Sequence, residues 1–381
     1  MIELLIHKRY FESTVEITRI EEKDGKFYAY ANASPFYPDG KGGQLGDRGK
    51  IAGVDVFHVF EKDNEIVHQI AGTITPGIHE VIVDQKRRKD IAQQHTGQHI
   101  LSAAFLEVAD IETVSFHMGE EYSTIDLDVP FLESEVISEA EELANRVTQS
   151  CYTIEEIITD IEGSKNYNLR KPLSDKVTGE VRLIKIDNFD VSACGGFHLN
   201  NTGEVGLIKV IDAEKVKGNL TRIYAVAGKR ALKYFQKYNS VLKKLSKMLT
   251  SSVGELELRV EKLLNQSRDQ ALLLSKISQE YATVLSQNLS NKGLVYLEGY
   301  TEVGNFLAKI GNFEDSILVF YDNSKYIIAS KKYDVRNFVS KLIEKFGGKG
   351  GGKSEFANYQ PTKKLKFEEL EEVYHEVYNR D

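Results

Sequence analysis

Cysteine is scarce: Cys151 and Cys194 are the only two in 381 residues. Two thiols cannot build a disulfide framework, and so few suit a reducing compartment, which points to the cytoplasm. Long apolar runs are missing as well. None approaches the roughly 20 residues of a membrane span, so no membrane partner is expected. The opening stretch MIELLIHKRYFESTVEI carries acids early and no small-residue cleavage site, so no secretory signal is expected. Positive charge is in deficit, with 49 Lys and Arg against 57 Asp and Glu, a net charge of −8. That balance argues against indiscriminate polyanion binding and leaves a nucleic acid to be met by a local patch. What remains is ordinary globular material, 41% hydrophobic and 28% charged, long enough for two or three domains.

Residues 1–88 read as all-β. STVEITRIEE, KFYAYANA, VDVFHVF, EIVHQIAG and HEVIVD alternate apolar and polar residues between Gly, Asp and Asn turns. Short, evenly spaced strands suggest a small barrel. One loop is out of character: FYPDGKGGQLGDRG, residues 36–49, with Gly at 40, 42, 43, 46 and 49. A helix is predicted from about Lys89 to Val108, with Ile91, Ile100, Leu101, Ala104 and Phe105 on its core face. YSTIDLDV, GEVRLIKI and VGLIKVIDAEKV read as strands and ESEVISEAEELANRVTQSC as an amphipathic helix, an α+β core over residues 89–227.

Residues 228–290 change character. From Lys229 to Ser290 there is no Pro, and the only Gly is Gly254. Leu256, Val260, Leu263, Ser267, Gln270, Leu274, Ile277, Tyr281 and Val284 follow steps of four and three, a heptad seam. Phe235, Tyr238, Leu242, Leu245 and Leu249 do the same upstream, and TSSVGEL separates the two, with Ser252 a candidate N-cap. A helical hairpin packed within one chain and a seam between two chains both satisfy this pattern. Residues 291–381 restart as a small α/β unit with strands GLVYLEGY, SILVFYD and YIIASKK and helices VRNFVSKLIEKF and FEELEEVYHEVYNR. Between them lies GGKGGGKSEFANYQ, with five glycines in the six positions 347–352.

The chemistry-bearing pattern begins at QQHTGQHILSAAF, residues 93–105. His95 and His99 stand four apart, on one face of the predicted helix. Ninety-five residues past His99, Cys194 and His198 are again four apart, in VSACGGFHLNNTGEVG. Gly195 and Gly196 argue for a tight turn after a strand, able to fold back and present a thiolate and a ring together. Three imidazoles and a thiolate suit tetrahedral Zn²⁺ better than a hard cation.

With these pairs in place the sequence resembles the editing domain of alanyl-tRNA synthetase and its free-standing relatives, the AlaX proteins, most closely their long form. FYPDGKGGQLGDRG is similar to the family's glycine-rich motif, and DQKRRKDIAQQHTGQHIL to the segment leading into its first zinc pair. LTRIYAVAGKRAL, residues 220–232, looks like the end of the editing core, and GGKGGGKSEFANYQ like the glycine-rich turn of the DHH-associated domain. The sequence departs from the family at Lys41, where members often read Glu-Ser-Gly-Gly-Gln. No segment before residue 89 could house a class II synthetase core, so the chain is not expected to charge tRNA.

The resemblance implies hydrolysis of the ester that joins a wrong amino acid, chiefly serine and also glycine, to tRNA(Ala). A pocket built for alanine cannot strongly reject a molecule that adds only a hydroxyl, so a second site must read that hydroxyl. By motif spacing His117, in TVSFHMG, falls where family members carry a polar side chain facing the amino acid, with Thr113 and Ser115 as rivals. Gln44 is implied to line the pocket, beside backbone N–H groups of Gly42 and Gly43 available to an oxyanion. Lys341, Lys345, Lys349 and Lys353 surround the C-terminal glycines, with Lys363, Lys364 and Lys366 beyond, and are the candidate tRNA contacts. Two other readings stay open: a non-catalytic tRNA-binding protein with a structural zinc, and an editor of another tRNA such as Ser-tRNA(Thr).

Overall fold

The computed structural model describes residues 12–174, 177–289, 292–311, 313 and 315–378; most of the MIELLIHKRYFESTVEI stretch lies outside them. It is a mixed α+β protein made of two compact units, residues 1–242 and 243–381.

The first unit opens with β1 (Glu12–Ile17), which bends at Thr18 and continues as β2 (Arg19–Lys23). β3 (Lys26–Ala31), β4 (Gly49–Ile51), β5 (Val54–Lys62), β6 (Glu65–Ile70) and β7 (Gly77–Val83) complete a seven-stranded sheet ordered β1-β7-β4-β5-β6-β3-β2. β1 pairs with β7 and β2 with β3, so the two ends of the sheet are halves of one bent strand. The expected alternation holds: Val15, Ala29, Val59, Ile66 and Val81 point into one buried core.

His68 sits in that core, fully buried, with Nδ1 3.0 Å from the Ala29 carbonyl and Nε2 2.8 Å from Ser34 Oγ. Burial pushes this imidazole down to about 4, against the opposing bond to Ala29. A folded-state value below the unfolded one means the unfolded chain binds the extra proton. The stability held by neutral His68 is therefore present above about 6.5 and is lost as pH falls toward 4, by about 3 kcal/mol in full. We expect the ring to stay neutral at pH 5.5 by NMR. A ring that titrates near its ordinary value would overturn this.

α1 (Gln85–Ala109) starts four residues earlier than expected. Asp84 is the reason: its carboxylate accepts from the Lys86 and Arg87 N–H groups and caps the first turn. After it come β8 (Thr113–Met118), β9 (Ser123–Leu127), α2 (Ser134–Gln149), β10 (Ile154–Asp160), the single turn α3 (Ile161–Ser164), β11 (Glu180–Ile186), β12 (Asp190–Ala193), β13 (Ile208–Val216) and β14 (Leu220–Ala227). They form two antiparallel sheets, β10-β11-β12 and β13-β14-β9-β8. Ile91, Ile100, Leu101 and Phe105 of α1 share one core with Ile125 and Ile223 of the second sheet. This packing sets the histidine face of α1 in the interior. α4 (Gly228–Leu249) follows β14 directly.

In the second unit α5 (Leu256–Gln287) precedes β15 (Lys292–Glu298), α6 (Thr301–Ile310), β16 (Asp315–Tyr321), β17 (Tyr326–Ala329), α7 (Val335–Phe346), β18 (Lys349–Lys353), β19 (Phe356–Gln360) and α8 (Phe367–Tyr378). Ser252 bonds the Glu255 carboxylate at 2.7 Å and makes no backbone cap. The heptad positions Val260, Leu274, Ile277 and Val284 of α5 lie on its exposed surface. β15 and β16 run parallel, and α6, absent from the sequence reading, is the crossover that a parallel pair requires.

The glycine-rich segment read as a turn is instead β18, an edge strand paired with β19. Glycine is demanded there by closeness. A Cβ on Gly350 would stand 2.6 Å from the Asn358 carbonyl and 2.8 Å from Val339, and one on Gly352 would stand 2.2 Å from the Phe356 carbonyl. No helix among the described residues is long and apolar enough to cross a membrane.

Candidate metal centre

The histidine face of α1 meets the turn after β12. One ligand atom from each of His95, His99, Cys194 and His198 lies within 4.8 Å of the others, so the group could hold a metal ion. Cys194 Sγ is 3.4 Å from His95 Nε2 and 3.3 Å from His198 Nε2. The three ring centroids lie 4.5–5.2 Å apart.

Two of the three rings have their other nitrogen held by a hydrogen bond, and the third, His99, has Nδ1 buried without one and only near a carboxylate. His95 Nδ1 donates to Gln44 Oε1 at 2.7 Å. His198 Nδ1 is 3.2 Å from Thr96 Oγ1, and His99 Nδ1 is 3.5 Å from an Asp190 carboxylate oxygen. Asp190 is itself bound by Arg170 at 2.8 Å and by Ser192. Outer partners of this kind fix which nitrogen a histidine offers to a metal.

The electrostatics favour the metal-binding form at Cys194 and His198 and the protonated form at His99. Burial raises the Cys194 thiol, but the imidazoles of His95 and His198 outweigh it and hold the group well below its usual range. Burial pushes His198 down to about 3, so its ring is neutral. Burial also lowers His99, but the Asp190 carboxylate and Cys194 more than reverse this. A thiolate with a neutral imidazole is the protonation state in which such residues bind metals. The convergence of three imidazoles and a thiol within 4.8 Å fits the ion that the sequence pattern implies.

The turn is held from outside by its carbonyls. Arg182 Nη1 donates to the Cys194 and Gly196 carbonyls at 2.7 and 3.0 Å, and the Tyr37 hydroxyl lies 3.5 Å from the Gly195 carbonyl. From inside, the Gly196 N–H points at Cys194 Sγ at 3.4 Å and the Phe197 N–H donates to Gln44 Oε1 at 3.0 Å. Gln44 thus ties the glycine loop to both halves of the cluster. Its Nε2 is buried and finds no partner among the described residues.

The loop that delivers Gln44 has left-handed backbone at Gly40, Gly42 and Gly43. It is tied down by Asp39 to the Gly46 N–H and by Asp47 to the Tyr37 N–H, both at 2.8 Å. Asp47 also makes a buried ion pair with Arg88 of α1. The Gly43 N–H donates to the Gly40 carbonyl at 3.2 Å, so it is engaged inside the loop rather than open to an oxyanion. Lys41, where the sequence departs from the AlaX pattern, pairs with Glu61 at 3.0 Å.

The structure does not bring every candidate residue to the cluster. Along β8, Phe116 stacks on His95 with centroids 5.4 Å apart. His117 points the other way, into a surface groove with Tyr122, Thr124, Arg222 and Tyr224. Ser115 lies on that same far face, bonded to Asp126 at 2.7 Å. A bulge between Thr113 and Ser115 leaves Thr113 opposite buried Leu127, where its hydroxyl donates to Ser102 of α1 at 2.8 Å. In the second unit, Lys345 is paired with Glu372 and Glu376, and Lys341 with Glu344. No ion pair is found for Lys349 or Lys353 among the described residues, and both stand exposed on β18. Sequence reasoning missed Thr96, Phe116, Arg182 and Asp190. Thr96 sits beside His95, but the other three reach the cluster only through strand register.

Comparison with known proteins sets part of this arrangement beside an accessory domain of tRNA synthetases. Residues 181–224, which carry Arg182, Cys194 and His198, match the family model described as the threonyl and alanyl tRNA synthetase second additional domain. The chain is 27% identical over 392 residues to the alanyl-tRNA editing protein AlaX-L of Pyrococcus horikoshii, covering 94% of each. It is 28% identical over 333 residues to the alanyl-tRNA editing protein Aarsd1-A of Xenopus laevis, covering 83% of this chain and 80% of that one. It is also 29% identical over 372 residues to the alanine–tRNA ligase of Caldivirga maquilingensis, covering 91% of this chain but 41% of the ligase. The resemblance to the long AlaX form therefore extends over nearly the whole chain.

Proposed function

We propose that this protein is a trans-editing deacylase that hydrolyses the aminoacyl ester of mischarged tRNA(Ala), chiefly Ser-tRNA(Ala) and also Gly-tRNA(Ala), in the cytoplasm. The observation that carries this is the four-residue donor set gathered under a glycine loop, in a chain similar from end to end to alanyl-tRNA editing proteins. On this reading residues 1–88, closed as a small barrel, and 89–227 form the editing module. Residues 228–290 are a helical connection, whose exposed seam would also serve to pair two chains, and 291–381 are the DHH-associated unit.

His95, His99, Cys194 and His198 would hold Zn²⁺, which when bound supplies a fixed positive charge at the wall of the pocket. Four protein ligands close a tetrahedron, so the ion would orient rather than activate. The chain's own groups would do the rest. Gln44 keeps His95 in one orientation, and its free Nε2–H is a donor for a substrate oxygen. Phe116 covers His95 and excludes water from that face. Serine must be told from alanine by a polar group that alanine leaves unpaired. We assign that role to Thr113, because it faces α1 beside Ser102, ahead of Ser115 and His117 on the far side of the sheet. Lys349 and Lys353 would contact tRNA from the second unit.

The test is deacylation of Ser-, Gly- and Ala-tRNA(Ala) and of Ser-tRNA(Thr) by the purified protein. Release of serine from tRNA(Ala), with Ala-tRNA(Ala) spared, is expected. Thr113→Val should slow serine release or expose Ala-tRNA(Ala) to attack. Binding without hydrolysis of any ester would leave a tRNA-binding protein with a structural metal, and preference for Ser-tRNA(Thr) would name a different editor.

A further inference from the structure

α4 is a strongly one-sided stretch of charge. Between Gly228 and Leu249 stand Lys229, Arg230, Lys233, Lys237, Lys243, Lys244 and Lys247, and no Asp or Glu, in a chain of net charge −8. With 3.6 residues per turn, Lys229, Lys233, Lys237, Lys244 and Lys247 fall on one side roughly 80° wide, with Lys243 at its margin. Gln236 and Ser240 lie on the same side, and Phe235, Tyr238, Leu242 and Leu245 on the other. At the helical rise this lysine face is about 27 Å long.

All six lysines are exposed, and none makes an ion pair among the described residues. Lys341 and Lys345, by contrast, are neutralised by glutamates of α7 and α8, while Lys349 and Lys353 of β18 share the unpaired state of the α4 lysines. Like charges at i,i+4 along one helix repel each other modestly, a cost that a polyanion would relieve. The foot of the face is fixed with respect to the metal centre. Arg230 is buried, bound to Asp90 at 2.8 Å and to the Gly119 carbonyl at 2.6 Å. Asp90 stands on α1, five residues before His95.

We infer that the lysine face of α4 docks the phosphate backbone of the tRNA whose acylated end is hydrolysed near His95. The identity of the partner rests on the deacylase reading above. Lysine ammonium groups supply charge, and the Gln236 amide and Ser240 hydroxyl add donors for phosphate and sugar oxygens. Neutralising several phosphates releases counterions, so this contact has a salt signature that a solvated helix face lacks.

The test uses the full chain with Lys233→Gln, Lys237→Gln and Lys244→Gln combined, a Lys→Arg triple at the same positions, and Lys233→Gln alone. Fluorescence anisotropy with a tRNA(Ala) transcript is followed across a salt series. We expect the glutamine triple to bind ~10- to 100-fold more weakly near physiological salt, with the salt slope reduced by about 2–3 and by about 1 for the single variant. The arginine triple should bind as the wild type does. Deacylation by the glutamine triple should show a raised KM and an unchanged kcat. Wild-type affinity and slope in both glutamine variants would overturn the proposal. So would unchanged tRNA binding with lost co-sedimentation on phosphatidylserine vesicles, which would make the face a membrane contact. A failed deacylase reading is distinguishable: the wild type would then show lysine-dependent tRNA binding and hydrolyse no ester.

Discussion

Cys194→Ala is expected to abolish the zinc binding proposed for the His95, His99, Cys194 and His198 group. Zinc analysis of the wild type should give about one ion per chain, and the variant close to none. Cys194 sits between the His95 and His198 nitrogens at 3.4 and 3.3 Å, and it brings the only thiolate of the set. Without it three imidazoles would remain with no anion to balance the cation. An ion bound only by the native state at about 1,000 times its dissociation constant contributes roughly 4 kcal/mol of stability. Chelation should therefore lower the wild-type unfolding temperature by several degrees and leave the variant unmoved. Full zinc occupancy in Cys194→Ala would refute the four-ligand arrangement. A metal-free wild type with an unchanged melting curve would refute a stabilising role.

The second large effect lies in two neighbouring glycines that read alike in the sequence. A Cβ at Gly196 would stand 2.2 Å from His95 Cε1 and 2.3 Å from Gln44 Oε1, whereas a Cβ at Gly195 would meet nothing within 4 Å. His95 and Gln44 are buried and hold each other, so neither can swing away. Gly196→Ala should cost about 1–3 kcal/mol as overpacking. It should also weaken metal binding ~10- to 100-fold by displacing the group that orients His95. Gly195→Ala should stay within about 0.5 kcal/mol of wild type. Denaturant unfolding together with competition against a chelating dye measures both. Equal effects at the two positions would mean that the turn does not pack against the rings as described.

The candidate metal centre was legible in the sequence because its four residues come in local pairs. Four-residue spacing on α1 puts His95 and His99 on one face whatever the rest of the chain does, and two glycines after Cys194 announce a turn. The residues around the pairs were not legible in the same way. Arg182 lies on β11 and Asp190 on β12, and they reach the turn and His99 only because β11 and β12 pair in one register. His117 shows the converse. Spacing put it one helix length past the histidines, but a strand shows alternate residues to opposite faces, and the bulge after Thr113 decides which ones. The segment GGKGGGK looked like a turn because five glycines permit one. Val339 and the Asn358 and Phe356 carbonyls, all distant in the chain or across the hairpin, make it a strand.

By itself, then, the sequence determined the mixed α+β class, the donor set and the likeness to alanyl-tRNA editing proteins, since composition, periodicity and short motifs are local properties. Tertiary structure alone decided that His95 and His198 turn Nε2 toward Cys194, that Gln44 bridges the two halves of the cluster, and that Thr113 rather than His117 faces α1. It also decided which lysines remain unpaired, Lys341 and Lys345 being claimed by glutamates while those of α4 stay free. Each of these depends on strand register or on contacts between residues far apart in the chain, and both are set when the elements pack.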